Sequence, residues 1–163
     1  MNRQWSRRAG LTALILVVLV PLAGCGDFGI ETDRLREIDR NRALWESQGL
    51  ATYVYAVERL CFCGLAGPVR VTVENEVATT RVFVMSGDTV PAEQAEWYPT
   101  VDGLFALLFD AARRNAHDIE VVYDPATGVP LDIFIDYAQN VADEELGFRV
   151  TEVPGPVSAP TAH

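Results

Sequence analysis

Apolar residues change their spacing along this chain, and that change restricts the possible folds more than any other feature. Val101, Leu104, Phe105, Leu108 and Ala112 recur at three- and four-residue steps, which puts them on one face of a helix. Thr100 is the residue type that caps such a helix, and Asn115 marks its end. On both sides of this segment the period is two. Residues 51–62, 69–74 and 77–85 precede it, and 119–123, 131–137 and 148–153 follow, each alternating as a strand does. Asn75-Glu76 is short enough for a tight hairpin, and Asp124-Pro125-Ala126-Thr127-Gly128 supplies a proline and a glycine for the later turn. A first amphipathic helix is expected over 32–48, with Leu35, Ile38, Leu44 and Trp45 apolar, Arg42 interrupting the stripe, Thr32 or Asp33 capping, and Gly49 closing it. Residues 86–99 read as a long loop containing Trp97 and Tyr98. The order helix, three strands, helix, three strands predicts an α+β domain, in which a mostly antiparallel sheet of about six strands carries two helices on one face. Its core comes from the Val101–Ala112 face and the apolar sides of the strands. No residue-level repeat accompanies the repeated order of elements.

The first 24 residues stand apart from this pattern. Arg3, Arg7 and Arg8 precede an apolar run from Leu11 to Leu22, and Leu22-Ala23-Gly24-Cys25 follows. A run of that length falls short of the roughly 20 residues a spanning helix needs, but suits a secretory signal. The cysteine after two small residues resembles a bacterial lipobox, so Cys25 is expected to become a lipidated N-terminus. Residues 25–31 then form a tether, 32–153 the domain and 154–163, with three prolines, a disordered tail. Gly26 lacks the aspartate that often retains lipoproteins at an inner membrane, so in a host with two membranes the outer one is favoured. The chain carries 13 basic residues, all arginine, against 23 acidic ones. Removal of the signal would take away three arginines and no acid, changing the net charge from −10 to −13. Nucleic acid is a poor partner for such a surface. The membrane is expected to be reached through lipid alone, with an envelope protein or a small ligand as further partner.

Once Cys25 is set aside, Cys61 and Cys63 are the remaining thiols. Three chemistries suit them. An oxidising compartment favours a structural disulfide, with Gly64 available for the bend that the short ring requires. A strained bridge would be redox-active, and two thiolates could hold copper(I) or half of a zinc site. The structural disulfide is preferred, because neither a helix-borne Cys-x-x-Cys nor a His-, Cys- or Met-rich tract accompanies the pair. Tyr53, Tyr55 and Arg59 share one side of the first strand with these cysteines and form a candidate ligand or partner face. Asp132, Asp136, Asp143, Glu144 and Glu145 form a candidate acidic cluster, without the spacing of a calcium loop. No nucleophile elbow, phosphate loop or HExxH is present. No catalytic residue, metal ligand or cofactor is therefore assigned, and a binding or structural role is favoured over an enzymatic one, with thiol redox or copper handling by Cys61 and Cys63 as the alternative.

The ordered run Leu44-Trp45, Tyr53-x-Tyr55, Cys61-Phe62-Cys63, Thr100-Val101 with Leu104-Phe105, Tyr123-Asp124, Gly128-Val129-Pro130, Ile135-Asp136 and Asp143-Glu144-Glu145 resembles the bacterial group catalogued as domain of unknown function 6174. The resemblance covers about residues 41–153. It implies a secreted protein or lipoprotein, with Cys61, Cys63, Asp136, Asp143, Glu144 and Glu145 as pattern positions and Val129 replacing a commoner aromatic. It implies no activity.

Overall fold

A computed structural model describes residues 27–60, 67–138 and 145–156, with the side chains of 27–31 excepted. The signal segment with Cys25, the cysteines Cys61 and Cys63, the acidic residues Asp143 and Glu144, and residues 157–163 lie outside the described residues.

The element order is α1 (Asp27–Glu46), β1 (Tyr53–Leu60), β2 (Val69–Glu74), β3 (Val77–Phe83), α2 (Val101–Arg113), β4 (Asp118–Tyr123), β5 (Pro130–Asp136) and β6 (Glu145–Gly155). All six strands form one antiparallel sheet in the order β3-β2-β1-β6-β5-β4. The two three-stranded meanders meet where β1 pairs with β6, so residues 87 to 101 positions apart in the sequence lie side by side at the middle of the sheet. This is the expected α+β arrangement.

Local chemistry accounts for the main boundaries. Thr100 is extended, and its hydroxyl accepts the Gly103 amide at 3.1 Å, capping α2. Asn75 and Glu76 both have positive φ, the requirement of a tight two-residue hairpin. Three expectations are corrected. Helix α1 begins at Asp27 rather than near residue 32, which absorbs part of the tether and puts Thr32 and Asp33 inside the helix instead of at its cap. There Asp33 pairs with Arg36, one turn away, at 2.8 Å. Strand β6 runs past Val153 to Gly155, which pairs with Val54, so Pro154 and Gly155 belong to the strand and not to the tail. The loop before α2 holds a 3-10 turn, Ala92–Trp97.

The core lies on one side of the sheet. Tyr53, Tyr55 and Val57 from β1, Val69, Val71 and Val73 from β2, Ile133 and Ile135 from β5, and Phe148 from β6 are all buried there. Above them pack Leu104, Phe105 and Leu108 of α2 and Ile38 and Trp45 of α1. Trp45 meets Tyr53 edge-on at 5.2 Å between ring centroids. Each fully buried Leu, Val or Phe contributes about 1.5–3 kcal/mol of transfer free energy.

Burial of phenols makes this core sensitive to alkali. Tyr53 is pushed up to about 12 and Tyr55 is raised as well, in both cases chiefly by desolvation. A phenol whose folded value lies above its unfolded one stays protonated in the fold while the open chain ionises. Its stabilisation is complete below about pH 10 and is lost as pH rises through the folded value, at about 1.4 kcal/mol per unit for each tyrosine. Urea midpoints are therefore expected to hold steady up to about pH 9 and to fall steeply above about pH 10. A flat midpoint across that range would show that the tyrosines are not buried.

Among the described residues, no helix packs on the opposite side of the sheet. Arg70 and Glu152 flank Ala56 in register and meet above it at 2.7 Å, which explains why a small residue on the open side is nevertheless fully covered. The sheet's two edges are protected differently. A bridge between Val82 and Thr89 folds the following loop back along β3, and the Val90 amide donates to the Arg81 carbonyl at 2.9 Å. At the other edge, β4 exposes Glu120, a charge that discourages strand addition.

Candidate functional site

The candidate face proposed from the sequence has to be reassigned. Tyr53 and Tyr55 lie under α2, with 1% and 0% of their surface exposed, so they cannot present a binding surface. The reason is that the start of α2 supplies partners for both hydroxyls. Tyr55 donates to the Pro99 carbonyl, and Tyr53 accepts the Val101 amide at 3.1 Å, one of the donors that a helix N-terminus leaves unpaired. Arg59 continues on the same side of β1, and its guanidinium lies over the Trp97 ring at 5.3 Å from the centroid. Its Nε is buried without a hydrogen-bond partner among the described residues, as is the hydroxyl of Tyr98. Desolvation lowers the Arg59 guanidinium from its usual value and raises the Tyr98 phenol, and the electrostatic attraction between the two groups partly opposes both shifts.

The helix-free side holds a groove of about 610 Å³. Strand register defines it. In one row across the sheet stand Glu120, Phe134, Gly147 and Leu60, and in the next Val122, Asp132, Arg149 and Glu58. Gly147 is the floor. A Cβ built there would lie 3.0 Å from the Leu60 Cβ, so the missing side chain both permits this close pairing and leaves a depression between Leu60 and Phe134. Phe134 is 36% exposed at the rim. Ile133 and Arg59 also border the groove, but Ile133 is a core residue and Arg59 turns to Trp97.

The charge around this depression is predominantly negative. Arg149 binds Asp132 at 2.9 Å through its Nε. Among the described residues, Glu58, Glu120 and Glu145 make no side-chain hydrogen bond or ion pair. Glu120 and Glu145 thus border an apolar notch with no paired cation among the described residues, while Glu58 stands across from Arg149 in register.

The expected acidic cluster is brought together in part. Asp132 and Asp136 share the open side of β5, and Glu145 pairs in register with Asp136. Asp132 is taken by Arg149, and Asp136 accepts the Ala138 amide at 3.0 Å, holding the turn after β5. No group of three or more His, Cys, Asp and Glu side chains among the described residues is placed to hold a metal ion. Sequence reading missed Glu58, Glu120, Phe134, Gly147 and Arg149 as one site, because they come from four strands. The available signal was a glycine between Leu146 and Phe148 near the start of β6.

A six-stranded antiparallel sheet with both described helices packed on one side and a charged, notched surface on the other defines an α+β fold. The chain belongs to the family of unknown function DUF6174, whose model matches residues 37–154. No curated protein and no solved structure matches it.

Proposed function

We propose that this chain is a lipid-anchored protein of the bacterial cell envelope that acts as a non-catalytic binding module through the helix-free face of its sheet. The groove around Gly147 is the observation that carries this reading. Its volume lies in the range of ligand sites, and it combines apolar walls with a few charged groups that can fix orientation. The N-terminal sequence supports the address: an arginine-flanked apolar run followed by Leu22-Ala23-Gly24-Cys25. Lipid at Cys25 would hold the domain at the membrane, with the outer membrane favoured in a host with two, and a Cys61–Cys63 disulfide would brace the chain beyond β1. The charge balance of the chain supports an anchor made of lipid rather than of basic residues.

The test places a photocrosslinking residue at Phe134 in the full chain within its host envelope, and the same residue at Asp39, an exposed position on α1. Discrete adducts are expected from Phe134 and none from Asp39. Equal yields from both positions, or none from Phe134, would end the binding-face reading. In the same cells Cys25→Ala is expected to move the chain to the soluble fraction, and its retention at the membrane would end the lipid-anchor reading.

A further inference from the structure

We infer that the groove docks an extended segment of a partner protein in which a bulky apolar side chain is flanked by arginine or lysine. This rests on the binding-face reading and names the partner's chemistry. The notch over Gly147 is walled by Leu60 and Phe134, its neighbours in register on the two adjacent strands. It offers apolar surface on both sides and a backbone floor, a seat for one aliphatic or aromatic side chain. The carboxylates are distributed around that seat. Glu120 stands beyond Phe134 on β4, Glu145 lies two residues before Gly147 on β6, and Glu58 lies two residues before Leu60 on β1. Among the described residues Glu120 and Glu145 have no cationic partner, whereas Glu58 stands in register with Arg149, which is already paired with Asp132. An occupant is therefore asked for positive charge on more than one side of its apolar group.

Dimensions favour a peptide over a small organic cation. Glu120 and Leu60 are separated by three strand spacings, roughly 14 Å, a span that an extended chain covers with about four residues. The apolar surface also continues from Phe134 to Val122, which is 60% exposed on the edge strand. A peptide gains burial there that a single ammonium group cannot reach, and the long stems of Lys and Arg can lie along it.

The probe is a short labelled peptide with a central leucine and an arginine two positions away on each side, titrated by fluorescence anisotropy against the full chain in detergent. Saturable binding is expected, weakening by about tenfold or more in high salt or when Glu120→Gln and Glu145→Gln are combined. Gly147→Ala, which fills the floor, is expected to weaken it comparably without removing charge. Because Glu120 and Glu145 are exposed, the double variant retains its fold and keeps the test decisive if Gly147→Ala does not. Equal affinity for a peptide with glutamates in place of the arginines, indifference to the double variant, or full competition by spermidine would each overturn the proposal. If crosslinking at Phe134 succeeds while the peptide shows no charge preference, the partner chemistry fails alone. If neither occurs, the binding face fails with it.

Discussion

Gly128→Ala is expected to destabilise the domain by about 3 kcal/mol, a large effect for an exchange that adds only a methyl group. Gly128 ends the turn between β4 and β5 with φ of +77°. The turn is held closed around it: the Gly128 amide donates to the Asp124 carbonyl at 2.8 Å, the Asp124 amide donates to the Val129 carbonyl at 2.8 Å, and the Asp124 carboxylate accepts the Ala126 and Thr127 amides. An alanine there must either keep the left-handed conformation, at about 1–2 kcal/mol, or break that network. Its Cβ would also overlap the carbonyl oxygen of Asn41 in α1 and come within 3.1 Å of the Leu44 Cβ. Both contacts belong to a helix whose Ile38 and Trp45 are buried in the core. The helix cannot retreat without unpacking them, and overpacking of this kind costs about 1–3 kcal/mol. Gly87 provides the control. It has the same φ of +77°, but a Cβ there meets nothing within 4 Å, so Gly87→Ala carries the conformational cost alone. Urea unfolding of the two variants separates backbone strain from the seating of α1 on the turn. Equal losses would mean that α1 does not rest there.

Much of this architecture was legible because hydrophobic period is a local property. The stripe from Val101 to Ala112, its Thr100 cap and the Asn75-Glu76 hairpin each depend on residues within a few positions of one another, and each stands as the pattern predicts. The same holds for the antiparallel α+β class and for membership of the family, whose matched residues 37–154 nearly coincide with the span of the resemblance. Local period does not say which side of a two-sided strand is covered. β1 carries Tyr53, Tyr55 and Arg59 on one side and Val54, Glu58 and Leu60 on the other, and either set could face a core. The decision came from partners 44 and 48 residues away, Pro99 and Val101, which satisfy the tyrosine hydroxyls only if that side meets α2. The groove was hidden for a related reason. Leu60, Gly147, Phe134 and Glu120 become neighbours through pairings of β1 with β6, β6 with β5 and β5 with β4, and the first of these joins the two halves of the chain. The extra turns at the start of α1 carry no apolar stripe that could have announced them.

Tyr55 gives the second large effect and tests the orientation of β1 directly. Tyr55→Ala is expected to cost about 3–5 kcal/mol, as truncation of a fully buried aromatic does when its surroundings relax only in part. Were this side chain on an open face, the same change would fall within about 0.5 kcal/mol. Tyr55→Phe divides the loss into its parts. It keeps the ring and removes the donor to the Pro99 carbonyl, leaving that acceptor without this bond at a cost of about 1–3 kcal/mol. Tyr53→Phe acts from the other partner's side, removing the acceptor of the Val101 amide, and its cost is expected to be of similar size. The two hydroxyls hold adjacent points of the α2 N-terminus, so their losses should not be additive: once one is gone, helix and strand have less to hold in register. Chemical denaturation of the two single variants and the double variant measures that coupling. The open side of β1 faces away from these bonds. Tyr55→Phe, still folded, should therefore leave crosslinking from Phe134 unchanged, whereas a parallel loss of both would mean that the groove depends on the seating of α2 and that the two faces of the sheet are coupled.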